Sequence, residues 1–559
     1  MKYICTVIFL LCTLFAKTQI IDPLLLEELN RCADDEKIEV VVVMKAQYDR
    51  DVLNQKAGTF AMRAERRDFV VKEMKAFAEK SQESLVRLLN IYGVDMHDGM
   101  SLFFANALCF SATKDVIMMI SRQDDIKIMG LNKQSRLVPE ISSESREVTP
   151  NITQVHAEEV WAQGYTGAGV VVAVVDSGVN YNHEDLADHL WDGGDAFPHH
   201  GYDIVNNDND PMDDKGHGTH CAGTVLGDGT AGSQTGIAPD AVLMCVKSIN
   251  AEGFGGSVNI AGGMEWAVEH GCDVISMSLG MVNASITDKE VLRRTCVAIN
   301  DAGVVAAVCA GNEGHIQIVA PVPNNVRVPA SCPPPYLDPD QMANPGELSC
   351  VIAVGAVDSN DNAAYFTSIG PVTWQDTEFG DYAYEPGIGL IRPDVCAPGV
   401  AIKSLDYLTT NGYTNMDGTS QATPCVGGII ALMLQKNPNL MPADICRILE
   451  ETSLKLTPTK SNITGVGRVD ALAAVNAVEP FDAVDENNDN SLMVYPNPTN
   501  DYITIVENLT ETSNISLMNI HGQLIDINVK NNRIDVSNLP NGIYFIKIGD
   551  KSTKIIIEK

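Results

Sequence analysis

The chain has 559 residues, 45% of them hydrophobic, which is length and apolar content enough for several domains around a large core. Its formal net charge of −34 argues against nucleic acid, whose phosphates call for basic patches, and against a surface held on anionic lipid. No apolar run reaches the roughly 18–20 residues that a helix needs to span a bilayer.

In chain order, Ile4 to Ala16 behind Lys2 is apolar and of signal-peptide length, so residues 1–17 are expected to be a signal peptide; a buried first helix is the alternative. Residues 18–144 follow as a second unit. Lys37 to Lys45 reads as a strand and Met62 to Leu89 as a charged helix. Leu102 to Ala107 and Ile126 to Leu131 read as strands, with a helix at Thr113 to Ser121 between them. That alternation describes a small α+β domain. Pro139 to Pro150, rich in Ser and Glu, reads as an exposed junction.

From Gly169 the texture changes. Val170 to Val175 is an unbroken β-branched run, the pattern of a parallel strand covered on both faces. Similar runs recur at Ala241 to Val246, Cys272 to Ser278, Val304 to Ala310 and Val351 to Val357, with helical segments at Val258 to His270 and Lys289 to Ala302. The fold class expected for residues 145–480 is therefore α/β, a doubly wound, mostly parallel sheet. Such sheets bind ligands at the carboxyl ends of their strands. Asp176 ends the first run, Ser278 another, and Asn312 follows a third.

Three motifs carry chemistry. Val174-Val175-Asp176-Ser177-Gly178 supplies a carboxylate and His217-Gly218-Thr219-His220-Cys221-Ala222-Gly223 an imidazole. Gly418-Thr419-Ser420-Gln421-Ala422-Thr423-Pro424 places a serine at the mouth of an apolar helix, with Pro424 expected in the helix's first turn. A serine needs a base and the base an orienting carboxylate, and Asp…His…Ser is one of the chain orders in which that triad arises. Singly, each residue has a plainer role, as turn residue, helix start or N-cap. Together the motifs resemble the subtilisin-like serine proteases, over roughly Val148 to Val478.

The resemblance implies a secreted endopeptidase that hydrolyses protein or peptide substrates through an acyl-enzyme. Ser420 would be the nucleophile, His217 the general base and then acid, and Asp176 the orienting carboxylate; His220 would pack rather than react. Ala310-Gly311-Asn312-Glu313-Gly314 matches the family's oxyanion segment, with the Asn312 amide and the Ser420 backbone N–H as donors. Gly253-Phe254-Gly255 and Ser278-Leu279-Gly280 resemble the segments that pair with substrate backbone. The latter, with Ala310 and Gly311, would wall the primary specificity pocket, and small residues there leave room for a large apolar or aromatic side chain.

No cofactor is implied for the chemistry. Structural calcium is suggested by Asp203, Asp208, Asp210, Asp213 and Asp214 before His217, and by Asp185, which matches a family calcium ligand. An exposed acidic loop is the alternative. The family's asparagine-bearing calcium loop is replaced here by Gly227 to Ser233. Gln421 and Cys425 also depart from the usual methionine and histidine. By position, residues 18–144 resemble the inhibitory propeptide of subtilisins, which would make the chain its own inhibitor; a permanent accessory domain is the alternative. Of 14 cysteines none forms a CxxC pair, and Cys332 with Cys350 is the candidate for a disulfide-closed loop.

Residues 481–491 are acidic and polar, a linker. Beyond them, Tyr502 to Val506, Ile515 to Ile520 and Gly542 to Lys547 alternate like strands, so 492–559 reads as a small β-sandwich. Its Tyr495-Pro496-Asn497-Pro498 opening, late Asn541-Gly542-Ile543-Tyr544 strand and basic end are similar to the C-terminal sorting domains of the bacterial type IX secretion system. That implies the secretion machinery as a partner and a secreted or surface destination. A substrate-binding module is the competing reading. For the whole chain, a catalytically silent binding protein and a processing protease dedicated to one partner remain rivals, the latter through the insertion from Val326 to Cys350.

Overall fold

Lys37 to Met44, buried on both faces from Val40 onward, organises the first part of the computed structural model. The structure describes residues 20–96, 99–136, 149–318, 320–335, 349–374, 377 and 389–481, and in the C-terminal region 494–495, 499, 502–505, 515–519, 524–525, 527, 529–530, 533–548 and 551–557. The expected signal segment, the junction after Arg136, most of the linker and Pro496 to Pro498 of the sorting-domain opening lie outside these residues. The chain divides into two compact units, residues 1–480 and 481–559.

In the first unit, strand β1 (Lys37–Met44) is followed by helix α1 (Arg63–Ile91), β2 (Met100–Leu102), β3 (Ala107–Thr113), helix α2 (Lys114–Ile120), β4 (Ile126–Leu131) and β5 (Gln134–Arg136). The first four strands form an antiparallel sheet in the order β2-β3-β1-β4. Alternate residues of a strand face opposite ways. Val40, Val42 and Met44 enter a core of their own with Leu85, Leu89 and Phe110. Val41 and Val43 belong instead to the core that covers the large sheet. The expected strand at Leu102 to Ala107 is in fact a strand end, a turn, and the start of β3. Asn106 takes a positive φ of 47° there, and the turn's apolar side chains pack against the large domain rather than along a ladder.

The large domain is built on β6 (Val171–Asp176), β7 (Gly201–Asp203), β8 (Val242–Lys247), β9 (Phe254–Gly256), β10 (Val274–Met277), β11 (Val305–Cys309), β12 (Ile352–Val357), β13 (Val395–Pro398), β14 (Ile402–Leu405), β15 (Tyr413–Met416), β16 (Leu454–Lys455) and β17 (Gly467–Arg468). Nine of these make one sheet, ordered β16-β17-β13-β12-β11-β10-β6-β8-β7, parallel except for β16. Helices α3 (His217–Leu226), α4 (Ser257–Glu269), α5 (Ile286–Asp301) and α6 (Thr419–Lys436) cover it. Val172 and Val174 face the core of α3 and α6, while Ala173 and Val175 face that of α4 and α5. Burial on both faces is why the strand sequences are unbroken apolar runs. In α6, a Cβ at Gly427 would lie 3.2 Å from Ser276 Cβ, so glycine lets the helix cross close over β10.

Cys332 and Cys350, expected to close a loop, are both free thiols; the Cys296 thiol of α5 makes a hydrogen-bond contact with each. The described residues of the second unit form two four-stranded antiparallel sheets. Ile503, Ile534, Leu517, Ile546 and Ile555, drawn from both sheets, share one core, which makes it a sandwich.

Candidate active site

The site forms at the carboxyl ends of the large sheet's strands, where parallel topology leaves strand ends and helix starts together. Asp176 is the last residue of β6 and is fully buried. His217 opens α3, and its Nδ1 lies 2.6 Å from Asp176 Oδ1, which also accepts the Ser177 N–H. A carboxylate on Nδ1 fixes the tautomer in which Nε2 is the proton acceptor. Burial works against a charge on this imidazole, but the Asp176 carboxylate and the neighbouring Cys221 outweigh it and hold the His217 pKa well above the ordinary value. His220, one turn on, is a different histidine. It is buried, its Nε2 meets the Ile402 carbonyl at 3.0 Å, and burial pushes its pKa down to about 3.

Ser420 is the second residue of α6, with its Oγ donating to the Ser278 carbonyl at 3.1 Å. Cys221 joins the two halves: its Sγ is 4.0 Å from His217 Nδ1 and 3.4 Å from the Ser420 carbonyl oxygen. Pro424 proves to lie inside α6 rather than in its first turn, because the helix already begins at Thr419. Its missing N–H is the one that would bond to the Ser420 carbonyl, four residues back. That carbonyl instead accepts the Ser278 hydroxyl at 2.7 Å.

Asn312 follows β11. Its Oδ1 accepts from both the Thr419 N–H and the Thr419 hydroxyl at 3.0 Å, which turns Nδ2 the other way. A Cβ built at Gly418 would lie 3.2 Å from Asn312 Nδ2 and 3.5 Å from Ser420 N. Two N–H donors thus border one space beside the serine, kept open by a glycine.

Gly253 precedes β9, and Phe254 and Gly255 lie in it. Strand β5 pairs antiparallel with them: Arg136 opposite Phe254, Ser135 opposite Gly255 and Gln134 opposite Gly256. On its other side Ser135 Oγ donates to the Gly280 carbonyl at 3.3 Å. Ser278, buried Leu279 and Gly280 therefore form the facing edge of one channel. Ala310 and Gly311 stand beside it, with the Gly311 N–H donating to Thr419 Oγ1 at 3.1 Å.

The six aspartates proposed for calcium are held by the protein's own donors. Asp185 accepts the Ala231 N–H and the Tyr413 hydroxyl. Asp203 caps Val205 and Asn206, Asp208 caps Asp210, and Asp210 accepts the Tyr181 hydroxyl. Asp214 pairs with Lys247 at 2.5 Å. Asp213 is buried and accepts from Ser177 Oγ, Gly216 N and both the N–H and hydroxyl of Thr219, so it braces the start of α3 under His217. Among the described residues no three of these six converge as ligands would.

Sequence reasoning missed two features. Arg327 forms a buried ion pair with Glu313, whose Oε2 accepts the Asn312 N–H at 2.9 Å. Glu265 of α4 accepts the N–H groups of Phe103 and Phe104 at 2.9 and 2.8 Å, across from the small N-terminal sheet. Glu313 stood in the quoted motif; nothing in the sequence marked its partner fourteen residues on.

A buried carboxylate–imidazole pair, a serine at a helix mouth and two converging N–H donors define a serine hydrolase. The Subtilase family matches residues 167–470, and a secretion system C-terminal sorting domain matches residues 493–559. Serine protease AprX of Bacillus subtilis is 33% identical over 385 residues, 63% of this chain and 75% of that protein. Subtilisin DY of Bacillus licheniformis is 33% identical over 59% of this chain and all of its own length. The alkaline protease of Alkalihalobacillus alcalophilus is 32% identical over 60% of this chain and 72% of its own. The chain belongs to the Subtilase family and is a subtilisin-like serine protease. Its sorting domain marks it for export by type IX secretion, to be secreted or held at the cell surface. No helix among the described residues is long and apolar enough to cross a membrane.

Proposed function

We propose that the chain is a self-processing endopeptidase zymogen whose residues 18–144 inhibit it until they are cut away. The observation that carries this reading is β5, which lies antiparallel on Phe254–Gly256 with Ser135 reaching Gly280. An extended chain added to a strand edge is how a protease holds substrate backbone. Strand β5 ends at Arg136, and the segment that would be cut follows it directly in the sequence.

Ser420 Oγ attacks the scissile carbonyl carbon while His217 Nε2 takes its proton. The oxyanion forms in the space between Asn312 Nδ2 and Ser420 N. His217 then gives the proton to the leaving amine as the C–N bond breaks. Water repeats the sequence on the acyl-enzyme. Asp176 stabilises the imidazolium throughout. Loss of one such side-chain amide costs about 10²–10³ in turnover, a figure obtained on a subtilisin.

The test is a fluorophosphonate probe on purified wild type and Ser420→Ala, with intact mass recorded. Wild type should label and shed its N-terminal domain, while Ser420→Ala should do neither. A wild type that labels but never shortens would leave a protease with a permanent accessory domain.

A further inference from the structure

The sequence reads the primary pocket as roomy because its walls carry glycine and alanine. The structure shows what occupies the room. Val326 to Val328 runs behind both walls: the Arg327 N–H donates to the Ala310 carbonyl at 2.9 Å, and Met281 and Val328 exchange backbone bonds at 2.7 and 3.0 Å. The Arg327 side chain lies between them. A Cβ at Gly311 would come within 2.5 Å of Glu313 Oε2 and 2.9 Å of Arg327 Cγ; one at Gly280 would come within 3.0 Å of Arg327 Cβ. The volume that these glycines free is filled by the ion pair rather than left for a ligand.

The pair is fixed in place. Arg327 is 5% exposed and Glu313 4%, and Arg327 Nε reaches both carboxylate oxygens at 3.1 and 3.0 Å. Glu313 Oε2 also accepts the Asn312 N–H at 2.9 Å and the Ser368 hydroxyl at 3.2 Å. Moving either side chain aside would strand a buried charge, which proteins resist strongly.

We propose that the Arg327–Glu313 pair closes the base of the primary specificity pocket and restricts the residue before the scissile bond to short, uncharged side chains. This rests on the endopeptidase reading above and adds its substrate class. A long aromatic side chain finds its depth taken. A lysine finds the Glu313 charge already neutralised by Arg327, and a glutamate finds Arg327 neutralised by Glu313. Alanine and serine fit without displacing either.

The experiment measures kcat/KM on the matured enzyme for peptides that differ only before the scissile bond: Ala, Ser, Phe, Leu, Lys or Glu. Active sites are counted with the fluorophosphonate probe, so a wild type that fails to label sinks the protease reading, not this one. Ala and Ser should exceed Phe and Lys by about tenfold or more, since one misfitted side chain is worth 10–200-fold. In Arg327→Gly, Phe should gain at least tenfold and Lys should gain against the unpaired Glu313. If that variant does not fold, Arg327→Met keeps the bulk and drops the charge, so Lys should gain while Phe does not. A labelled wild type that prefers Phe, Leu or Glu overturns the proposal. So does a labelled Arg327→Gly with the wild-type profile.

Discussion

Pro424 leaves the Ser420 carbonyl without its helical donor, and the Ser278 hydroxyl takes it at 2.7 Å. One helix-breaking residue thus ties the Ser420 backbone to the segment that follows β10. Removing the hydroxyl would leave a buried carbonyl with only the weak Cys221 thiol contact, a loss of about 1–3 kcal/mol. Ser278→Ala should lower kcat by roughly tenfold with little change in KM, by steady-state kinetics.

The His217 pKa sets the acid limb of activity. Only neutral imidazole accepts the serine proton, and the Asp176 charge raises the pKa above the ordinary 6.5. Activity should therefore fall as pH falls, with a midpoint in kcat/KM above 6.5. Asp176→Asn removes the raising charge and favours the wrong tautomer, so kcat should drop by about 10⁴. A wild-type midpoint well below 6.5 would contradict the electrostatics described.

Gly418 keeps the donor space open. Gly418→Ala would place a methyl group 2.7 Å from Gln421 Oε1 and 3.2 Å from Asn312 Nδ2, in the space proposed for the oxyanion. Labelling by the fluorophosphonate probe should slow by about 10²–10³, comparable to loss of an oxyanion donor. Unchanged labelling would put the oxyanion elsewhere.

Glu265 governs how the N-terminal domain docks. Burial pushes its pKa up to about 8, from 4.5 in an unfolded chain. A raised folded-state value means the stabilisation is fully present below 4.5 and is lost as pH rises through about 8. In the Ser420→Ala chain, docking should loosen over that window, read by limited proteolysis of the N-terminal domain. Glu265→Gln should flatten the dependence.

Asp213 braces the start of α3 through hydrogen bonds from Ser177, Gly216 and Thr219. A chelator should leave the melting temperature within about 2 °C, under 1 kcal/mol for a domain of this size. Asp213→Ala should lower it by several degrees and reduce kcat through the displaced His217. A large chelator effect would show that these carboxylates bind calcium after all.

The large sheet was legible because strands buried on both faces must be continuously apolar, as at Val170 to Val175. The motifs placed Asp176, His217 and Ser420 at strand and helix ends by residue type and order. What the sequence could not show depended on distant partners. Phe103 and Phe104 look like strand residues until Glu265, about 160 positions away, takes their N–H groups. Arg327 looks like an ordinary loop cation until Glu313 is seen against it. Local spacing likewise says nothing of the Thr219 and Tyr413 groups that donate to Asp213 and Asp185. Pro424 was placed one turn too early because helix α6 starts at the nucleophile's neighbour, not after it.

All twelve cysteines among the described residues are thiols, and all but Cys32 are buried. Packing alone shields them. Outside the cell, where thiols are readily oxidised, a molecule that opens even once exposes many reactive sulfurs together, and random cross-links would prevent its return. The working lifetime of the exported enzyme is then a matter of opening rate rather than of equilibrium depth.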